Sequence, residues 1–471
     1  MIMSFTLDKE LMRKTFSMGD EGDSFTHKQA QRIKLFPYIG NNNVTIVKSL
    51  SVVAAEWLRL IREQNNVCET SEKTLKKITD RVDVAPGLRE EFAQIIKTLY
   101  WDENGNIRPN SIESMCYIPC NDPSELRTAQ YLCSVLGNHC TLKMLINNAV
   151  QTAAIQGNVL EKTVLDALKA DSQTNVSREV YYTIHMAPHK TFADDLKYVL
   201  ENSSRTKDYL VELLEFYYFF YTAQTSLCLQ AFEYGDRHKV FPLYFSLDWE
   251  KTNKARECYT SGWQMLQRAV QGLFCHAITL EILNQNPTED RYDYIALKEY
   301  IEQNNCEAEI AAEIKDLCDM YRKAIKHGAQ SSERIALDAI VKHEEEHGPA
   351  FAEVRYLFDS IRVQFENSQR GRVNSAYNKN FEDFCKDKYL KYRGQSGLML
   401  NLTEEHIIFL TKLAIKHEEQ ISLNEVFRQF ELRGVFLDQP SKNELITFYT
   451  KLNLIDKKSD SGDAQYVKRI L

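Results

Sequence analysis

The segment His343-Glu344-Glu345-Glu346-His347 has the residue types and the spacing of a zinc-hydrolase motif. In the H-E-x-x-H pattern, two histidines one helical turn apart hold zinc, and the first glutamate acts as a general base. Here the two intervening residues are also glutamates, and Gly348-Pro349 ends the helix at once. Because a catalytic helix would pack those two positions against its own core, we interpret the segment as the solvated, charged end of a helix. The alternative, a zinc protease, predicts stoichiometric zinc in the purified protein.

Four cysteines beside His139 form a second candidate metal site. Structural zinc takes four thiolate or imidazole ligands, and Cys116, Cys120, Cys133 and Cys140 would supply the thiolates. Their spacings match no common zinc finger, and Cys133 falls on an amphipathic helical pattern, where a buried cysteine is routine. We therefore favour cysteines that pack as small hydrophobic side chains. The odd total of eleven in a long chain fits reduced thiols and not a disulfide framework.

Signatures of nucleotide binding and of nuclease activity are absent from the sequence. It contains no G-x-x-x-x-G-K-[ST] phosphate loop, and no G-x-G-x-x-G follows a predicted strand. No cluster of paired carboxylates with a lysine indicates a nuclease site. We therefore expect a protein that is not an enzyme and needs no cofactor, with no catalytic or metal-binding residue to assign. A divergent metal-dependent nuclease, or another enzyme with an unrecognised site, is the alternative.

The C-terminal residues 399–471 have the pattern of a winged-helix domain. Apolar spacings of three and four predict three short helices, marked by Ile407, Leu410, Leu413 and Ala414, then Leu423, Val426, Phe427 and Phe430, then Leu445, Phe448, Tyr449 and Leu452. Capping-box spacing predicts the starts of the second and third helices, at Ser422 with Glu425 and at Ser441 with Glu444. Strands 454–457 and 465–470 flank a turn rich in Ser, Asp and Gly, which predicts a hairpin that would be the wing.

The third of these helices would make base contacts if the domain binds DNA, since such a helix lies in the major groove. Its predicted outward face consists of Asn443, Thr447 and Thr450, with Lys442 and Lys451 at the margins. Cations on the wing would reach phosphates, and they are Lys457, Lys458, Lys468 and Arg469. Because the helix face is nearly neutral and wing aspartates oppose the lysines, the alternative is a module that docks another protein without DNA contact.

Residues 370–393, directly before this domain, interleave cations with aromatic residues. The cations that we consider candidate DNA contacts are Arg370, Arg372, Lys386, Lys388, Lys391 and Arg393. The aromatic residues are Tyr377, Phe381, Phe384, Tyr389 and Tyr392. Cations neutralise phosphates, and aromatic faces stack on bases or sugars. We favour the other interpretation, in which the aromatic residues belong to the core and the lysines solvate the outer face.

The positions of these candidates depend on helices, because helical periodicity dominates the chain and few stretches alternate as strands do. Helices are predicted over 47–64, 88–100, 124–136, 141–156, 208–234, 253–283, 296–303, 308–327, 332–347 and 350–367. The helix at 208–234 contains consecutive aromatic residues over 216–221, a patch too broad for one face, so it should be buried on most sides. We expect a mostly α, helical multi-domain body with a C-terminal winged helix. The predicted parts are an N-terminal arm (1–45), an N-terminal helical domain (46–200), a central aromatic-rich helical domain (201–398) and the winged helix (399–471).

Composition limits the partners of this protein. The 471 residues are 44% hydrophobic and 26% charged, with a net charge of −8. No global basic field therefore draws the protein onto nucleic acid or an acidic membrane, so any DNA contact must be local or shared with partners. No apolar run approaches the roughly 20 residues of a membrane span, and the N-terminus lacks a signal pattern. We expect a cytoplasmic protein without membrane contact.

Several stretches carry a resemblance to a known family: FTHK at 25–28, KLFPY at 34–38, FPLYFSLDWEK at 241–251 and KSDSGDAQYV at 458–467. Over most of its length the chain resembles the DptG (DndG) family of bacterial DNA phosphorothioation-dependent restriction systems. The resemblance implies a noncatalytic subunit that binds DNA, or bridges it to DptF-like and DptH-like subunits, which are similar to ATPases and helicases. Together they would attack DNA that lacks the host's sulfur-modified backbone. The family offers no active-site pattern to carry over, which agrees with the missing phosphate loop.

Overall fold

The described residues of the computed structural model are 6–19, 21–40, 47, 49–64, 71–103, 105–156, 158–168, 178–201, 205–366, 371–457 and 465–470. Of the described residues, 65% are in helices and 6% in strands, which confirms the mostly α fold class. Within these ranges, no helix has the length and hydropathy needed to cross a bilayer.

Helices follow one another along the described parts of the chain. Those of the N-terminal half are α1 (Lys9–Thr15), α2 (Leu50–Arg62), α3 (Ser71–Arg81), α4 (Arg89–Tyr100), α5 (Ile112–Met115), α6 (Pro123–Val135), α7 (His139–Gln156), α8 (Val159–Leu168), α9 (Ala187–Glu201) and α10 (Thr206–Gln230). Those of the C-terminal half are α11 (Gln264–Gln271), α12 (Leu273–Leu283), α13 (Tyr294–Asn304), α14 (Glu307–His327), α15 (Ser331–Asp338), α16 (Glu344–Glu366), α17 (Gly371–Lys388), α18 (Glu404–Ile415), α19 (Leu423–Glu431) and α20 (Gln439–Lys451).

Short strands from the middle of the chain pair with strands of its C-terminal part. The strands are β1 (Leu243–Tyr244), β2 (Ser246–Leu247), β3 (Leu390–Tyr392), β4 (Leu398–Leu402), β5 (Gln420–Ser422), β6 (Val435–Phe436), β7 (Ile455–Lys457) and β8 (Gln465–Lys468). β1 pairs in parallel with β6, and β2 pairs in parallel with β4, which is antiparallel to β3. β5, β8 and β7 form an antiparallel sheet in that order. The parallel pairs fix the segment around 243–247 against elements far along the chain.

Most predicted helices occur close to their predicted bounds, but the prediction over 253–283 is wrong at its N-terminal part. A π turn at Tyr259–Trp263 precedes α11 there, and Gly262 leaves helical geometry at φ −103° and ψ −122°. The backbone of Gly262 lies against the carbonyl oxygen of Tyr244, which a Cβ would approach to 2.6 Å. The helix predicted over 332–347 also differs, because α15 ends at Asp338 and α16 starts only at Glu344. Tertiary contacts, which a local pattern does not contain, decide these ends.

α10 runs through the main hydrophobic core. The aromatic residues over 216–221 are each no more than 4% exposed, which confirms that this helix is buried on most sides. It packs against α2, α9 and α11. On another side, the Tyr218 ring lies 4.7 Å from that of Phe384, and the Phe219 ring lies 4.2 Å from that of Tyr389. A helix with apolar side chains all round requires such enclosure.

The N-terminal arm is held by the carboxylate of Glu281 on α12. The backbone N–H groups of Gln31 and Arg32 donate to it over 3.1 and 2.6 Å. The Arg32 side chain in turn donates to the carbonyl oxygens of Asn284 and Asn286, over 3.2 and 2.6 Å. Burial raises the pKa of Glu281 to about 7, against the opposing effect of these backbone donors. The arm is therefore an ordered part of the fold, as the sequence indicates.

Two hydrophobic clusters account for the buried apolar side chains. The larger contains residues from Leu7 to Val467 and so includes parts of the arm, the helical body and the C-terminal region. The smaller is built mainly by α3, α4 and α8, around Ile78, Ile96 and Val164. The division of the chain at 45, 200 and 398 stays a prediction.

Residues 404–470, hereafter the C-terminal module, contain the three helices and the hairpin in the predicted order. β5 adds a third strand that the sequence pattern did not indicate. Ser422 caps α19 as predicted, because its Oγ accepts from the N–H of Glu425 at 3.2 Å. The predicted cap at Ser441 is wrong, since α20 begins earlier and Asp438 accepts from the N–H of Ser441 at 3.1 Å. Leu452 is 45% exposed and not in the core, because α20 ends just before it.

A buried ion pair joins the C-terminal module to the helical body. Arg433, which follows α19, donates from Nε and Nη2 to the carboxylate of Asp195 on α9, over 2.8 and 2.6 Å. Both side chains are at most 1% exposed. The hydroxyl of Tyr217 donates to the same carboxylate at 2.8 Å, and Nζ of Lys416 lies 3.0 Å from it. Because the carboxylate is buried, these donors offset the cost of its desolvation.

Replacing Asp195 by Ala should lower the free energy of unfolding by about 3–5 kcal/mol, because Arg433 would stay buried without its partner. Asp194→Ala, at the exposed neighbouring position on α9, is the matched control and should cost less than about 0.5 kcal/mol. Urea denaturation followed by far-UV circular dichroism measures both. Equal stabilities of the two variants would contradict the role assigned to the pair.

Candidate functional site

The outward face of α20 is the first candidate for nucleic-acid contact. Asn443, Thr447, Thr450 and Lys451 are exposed there, so the predicted residues share one solvent face. The hydroxyls of Thr447 and Thr450 donate to backbone carbonyls one turn back, over 3.0 and 2.8 Å. A hydroxyl can rotate from such a bond to a ligand. The face therefore offers neutral polar groups, with Lys451 as the exposed cation at its C-terminal end.

One side of the first turn of α20, which carries Ser441, packs against the helical body, whereas Gln439 and Pro440 are exposed. Arg256 donates from Nε to Asp438 at 3.0 Å and from Nη2 to Ser441 at 2.7 Å. The Ser441 hydroxyl donates to buried Glu250 at 2.9 Å. Although burial opposes it, the Arg256 guanidinium holds the pKa of Asp438 below its ordinary value. Among the predicted contacts, the exposed polar face thus begins at Asn443, because Ser441 before it is buried.

The hairpin places the backbone of Lys468 beside the C-terminal end of α20. The N–H of Lys468 donates at 2.8 Å to the carbonyl of Leu454, which lies just after that helix. Arg469 is exposed. Lys457 is the last residue of β7 and is paired with Gln465. The predicted contact Lys458 lies outside the described residues.

Cations of the segment 370–393 are largely engaged within the protein. The ion pairs are Lys386 with Glu382 at 2.7 Å, Lys388 with Glu215 at 3.3 Å, and Lys391 with Asp248 at 2.5 Å. The Arg393 guanidinium donates to the carbonyls of Leu247 and Glu250, over 2.6 and 3.0 Å. These contacts account for Lys388, Lys391 and Arg393 without any ligand, because each cation meets an acceptor of its own chain. Arg372 is exposed on α17, and Arg370 lies outside the described residues.

Four of the five aromatic residues named for this segment belong to the core, as in the interpretation that we favoured. Tyr377, Phe381, Phe384 and Tyr389 are at most 6% exposed. Tyr392, in contrast, is 72% exposed. Because side chains alternate along a strand, Tyr392 on β3 faces away from the side that carries Lys391 and Arg393. The buried rings are not available for stacking on bases.

The segment 343–347 is the exposed, charged helix end that the sequence suggested. Its residues 343–346 are exposed. His347 is partly buried and lies 3.1 Å from Oε1 of Glu233. The helix breaks directly afterwards at Gly348, where φ is +74°. His347 is therefore engaged by a carboxylate of the short 3-10 turn, Phe232–Tyr234, that follows α10.

The cysteines near His139 occupy different environments. Cys116 and Cys133 are buried, whereas Cys140 is exposed. Burial raises the pKa of Cys133 to about 11 and that of Cys120 to about 12, so these side chains are thiols at neutral pH. Over the described ranges, no three His, Cys, Asp or Glu side chains are grouped so as to hold a metal ion.

A cleft of about 540 Å³ between α10 and α18 gathers ionisable side chains that the sequence analysis did not single out. Glu212 and Glu215 line it from α10, and Glu405, His406 and Lys412 line it from α18. Burial, reinforced by the charge of Glu215, raises the pKa of Glu212 to about 7. Burial lowers the pKa of His406 to about 4. Two acids three residues apart in a helix otherwise rich in apolar residues are the sequence signal that could have identified this cleft.

Comparisons with known proteins add no assignment to these surfaces. No protein-family model matches the chain, and no curated protein matches it. The residues and their geometry are therefore the basis for any function proposed for α20, for the hairpin and for the cleft.

The raised pKa of Glu212 predicts a pH-dependent stability. Its carboxyl group binds a proton more tightly in the folded state, so the stabilisation is complete below the ordinary pKa of 4.5 and is lost as the pH rises through about 7. Glu212→Gln should therefore show a smaller fall in Tm between pH 5 and pH 8 than the wild type. Glu299→Gln, at an exposed position on α13, should keep the wild-type pH dependence. Parallel Tm curves for wild type and Glu212→Gln would contradict the prediction.

Proposed function

We propose that this chain is a noncatalytic subunit of a bacterial DNA phosphorothioation-dependent restriction system, and that its C-terminal module acts as a winged helix that contacts DNA. The observation that carries the proposal is the exposed face of α20, with Asn443, Thr447 and Lys451, beside the hairpin cations Lys468 and Arg469. A helix in the major groove reads base edges with such polar side chains, while neighbouring cations neutralise phosphates.

The helical body is proposed to dock the DptF-like and DptH-like subunits, which would supply ATP-driven movement and cleavage. A net charge of −8 gives the chain no general attraction to DNA. The proposed DNA contact is therefore local and shared with such partners. The resemblance of the stretches 25–38, 241–251 and 458–467 to the DptG family supports the same assignment. This complex would work in the bacterial cytoplasm.

A second candidate function is protein docking by the same face without DNA contact. Two observations favour it. Lys442 lies 3.6 Å from Glu431, which offsets its charge, and the first turn of α20 is already occupied by Arg256. Under this proposal the neutral residues Asn443 and Thr447 would contact a partner subunit.

The DNA contact is tested by replacing Lys451, Lys468 and Arg469 together by Glu. The assembled complex should retain fluorescent duplex DNA less well, and the slope of log affinity against log salt should decrease by up to about 3, because each lost phosphate contact removes about 0.9. Affinity measured by fluorescence anisotropy over a salt series gives both quantities.

The matched control reverses three exposed cations on α14 and α15, namely Lys315, Lys323 and Arg334. It has the same net charge change and should keep the wild-type salt slope. Unaltered DNA binding by the α20 and hairpin variant would exclude this surface as the DNA contact. Loss of partner subunits in a pull-down, with DNA binding by the remaining protein intact, would favour the docking function. Metal-dependent cutting of DNA by the purified chain alone would contradict a noncatalytic subunit.

A further inference from the structure

The N-terminal half of the α20 face lacks a cation that is free to meet phosphate. Lys442 is engaged by Glu431 and lies 4.9 Å above the Phe427 ring. Glu444 adds an exposed negative charge. The candidate cations Lys451, Lys468 and Arg469 are at the other end of the helix or just beyond it. Because backbone phosphates line both edges of the major groove, cations near both ends of a helix that lies in it can reach phosphates.

A loop of the helical body, residues 251–254, lies at the N-terminal end of α20, where Lys442 is already paired with Glu431. The Arg256 guanidinium donates from Nη1 to the carbonyl of Lys251 at 2.9 Å and from Nη2 to the Ser441 hydroxyl at 2.7 Å. One guanidinium group therefore contacts both the loop and the first turn of α20. Next to it, the Trp249 ring stacks on Phe448 of α20, with 4.8 Å between centroids. The loop is thus held within a few ångströms of the helix.

The side chains of this loop are suited to phosphate contact. Lys251, Asn253 and Lys254 are exposed. Neither lysine forms an ion pair within the described part of the chain, in contrast to Lys386, Lys388 and Lys391. Two exposed acidic side chains belong to the neighbouring segments, Glu257 after the loop and Glu444 on α20, whereas Glu250, next to Lys251, is buried. Arg256 itself is only 11% exposed and is neutralised by Asp438 and Glu250.

We propose that loop 251–254 is a second part of the DNA interface, in which Lys251 and Lys254 contact backbone phosphates of duplex DNA beside the N-terminal half of α20. Together with Lys451, Lys468 and Arg469 near the other end, the loop places cations near both ends of the helix. This inference rests on the proposed DNA contact of α20. It adds that the helical body, and not the C-terminal module alone, forms the surface.

The test replaces Lys251 and Lys254 by Glu in the full chain, within the assembled complex. Arg256 binds the backbone carbonyl of Lys251, so the substitution leaves the contact that positions the loop. Binding of a fluorescent duplex should weaken, and its salt slope should decrease by about 2, since two phosphate contacts are lost. Lys251→Arg with Lys254→Arg should restore the wild-type slope, because charge and reach are kept. Lys315→Glu with Lys323→Glu on α14 is the matched control and should bind as the wild type does.

The outcomes separate this inference from the proposed function. Weaker binding and a lower slope for both the loop variant and the α20 and hairpin variant would support the two-part interface. Wild-type binding by the loop variant, with binding lost by the α20 and hairpin variant, would overturn the inference and leave the proposed function standing. Wild-type binding by both variants would overturn both. An equal loss of binding in the α14 control would show a general charge effect and would also overturn the inference.

Discussion

The buried carboxylate of Asp195 constrains how the C-terminal module sits on the helical body. The carboxylate, on α9, is desolvated, so it needs the guanidinium of Arg433, which follows α19, and the hydroxyl of Tyr217 on α10. A buried charge without its partner costs several kcal/mol. Displacement of the module would break these contacts together and would therefore carry that cost. Arg256 and Asp438 repeat the same arrangement at the start of α20. The module is therefore held at both the end of α19 and the start of α20.

This attachment has a consequence for function. If the C-terminal module were joined to the body by a flexible tether, a ligand would meet only the surface of the module itself. That surface is nearly neutral on α20. The ion pairs instead place a loop of the body beside that helix, so two weakly cationic surfaces become neighbours. In such an arrangement the affinity for a polyanion depends on the sum of several local contacts and not on net charge, which is −8 for the chain. The raised pKa of Glu212 adds a titrating group where α10 meets α18.

The sequence predicted the elements well, because spacing of apolar residues reflects which face of each helix is buried. The aromatic run of α10 and the helices and hairpin of the C-terminal module follow from that pattern. What it did not predict depends on long-range partners. Asp438 replaces Ser441 as the cap because Arg256 holds it there, and the predicted helix over 253–283 is irregular before Gln264 because Gly262 lies against Tyr244. The engagement of Lys388, Lys391 and Arg393 with acceptors from 215 to 250, and the position of Lys251 beside α20, are likewise contacts across long stretches of sequence. No local spacing encodes them.

Hydrogen–deuterium exchange of the assembled complex, with and without duplex DNA, tests the central claim most directly. If the body and the C-terminal module form one DNA surface, amides of the loop around 251–256 and of the exposed turns of α20 should both exchange more slowly when DNA is bound. Protection should also extend to the region of Lys468. Protection confined to the C-terminal module, with the loop unchanged, would contradict a shared surface, and no protection in either region would contradict DNA contact by this chain.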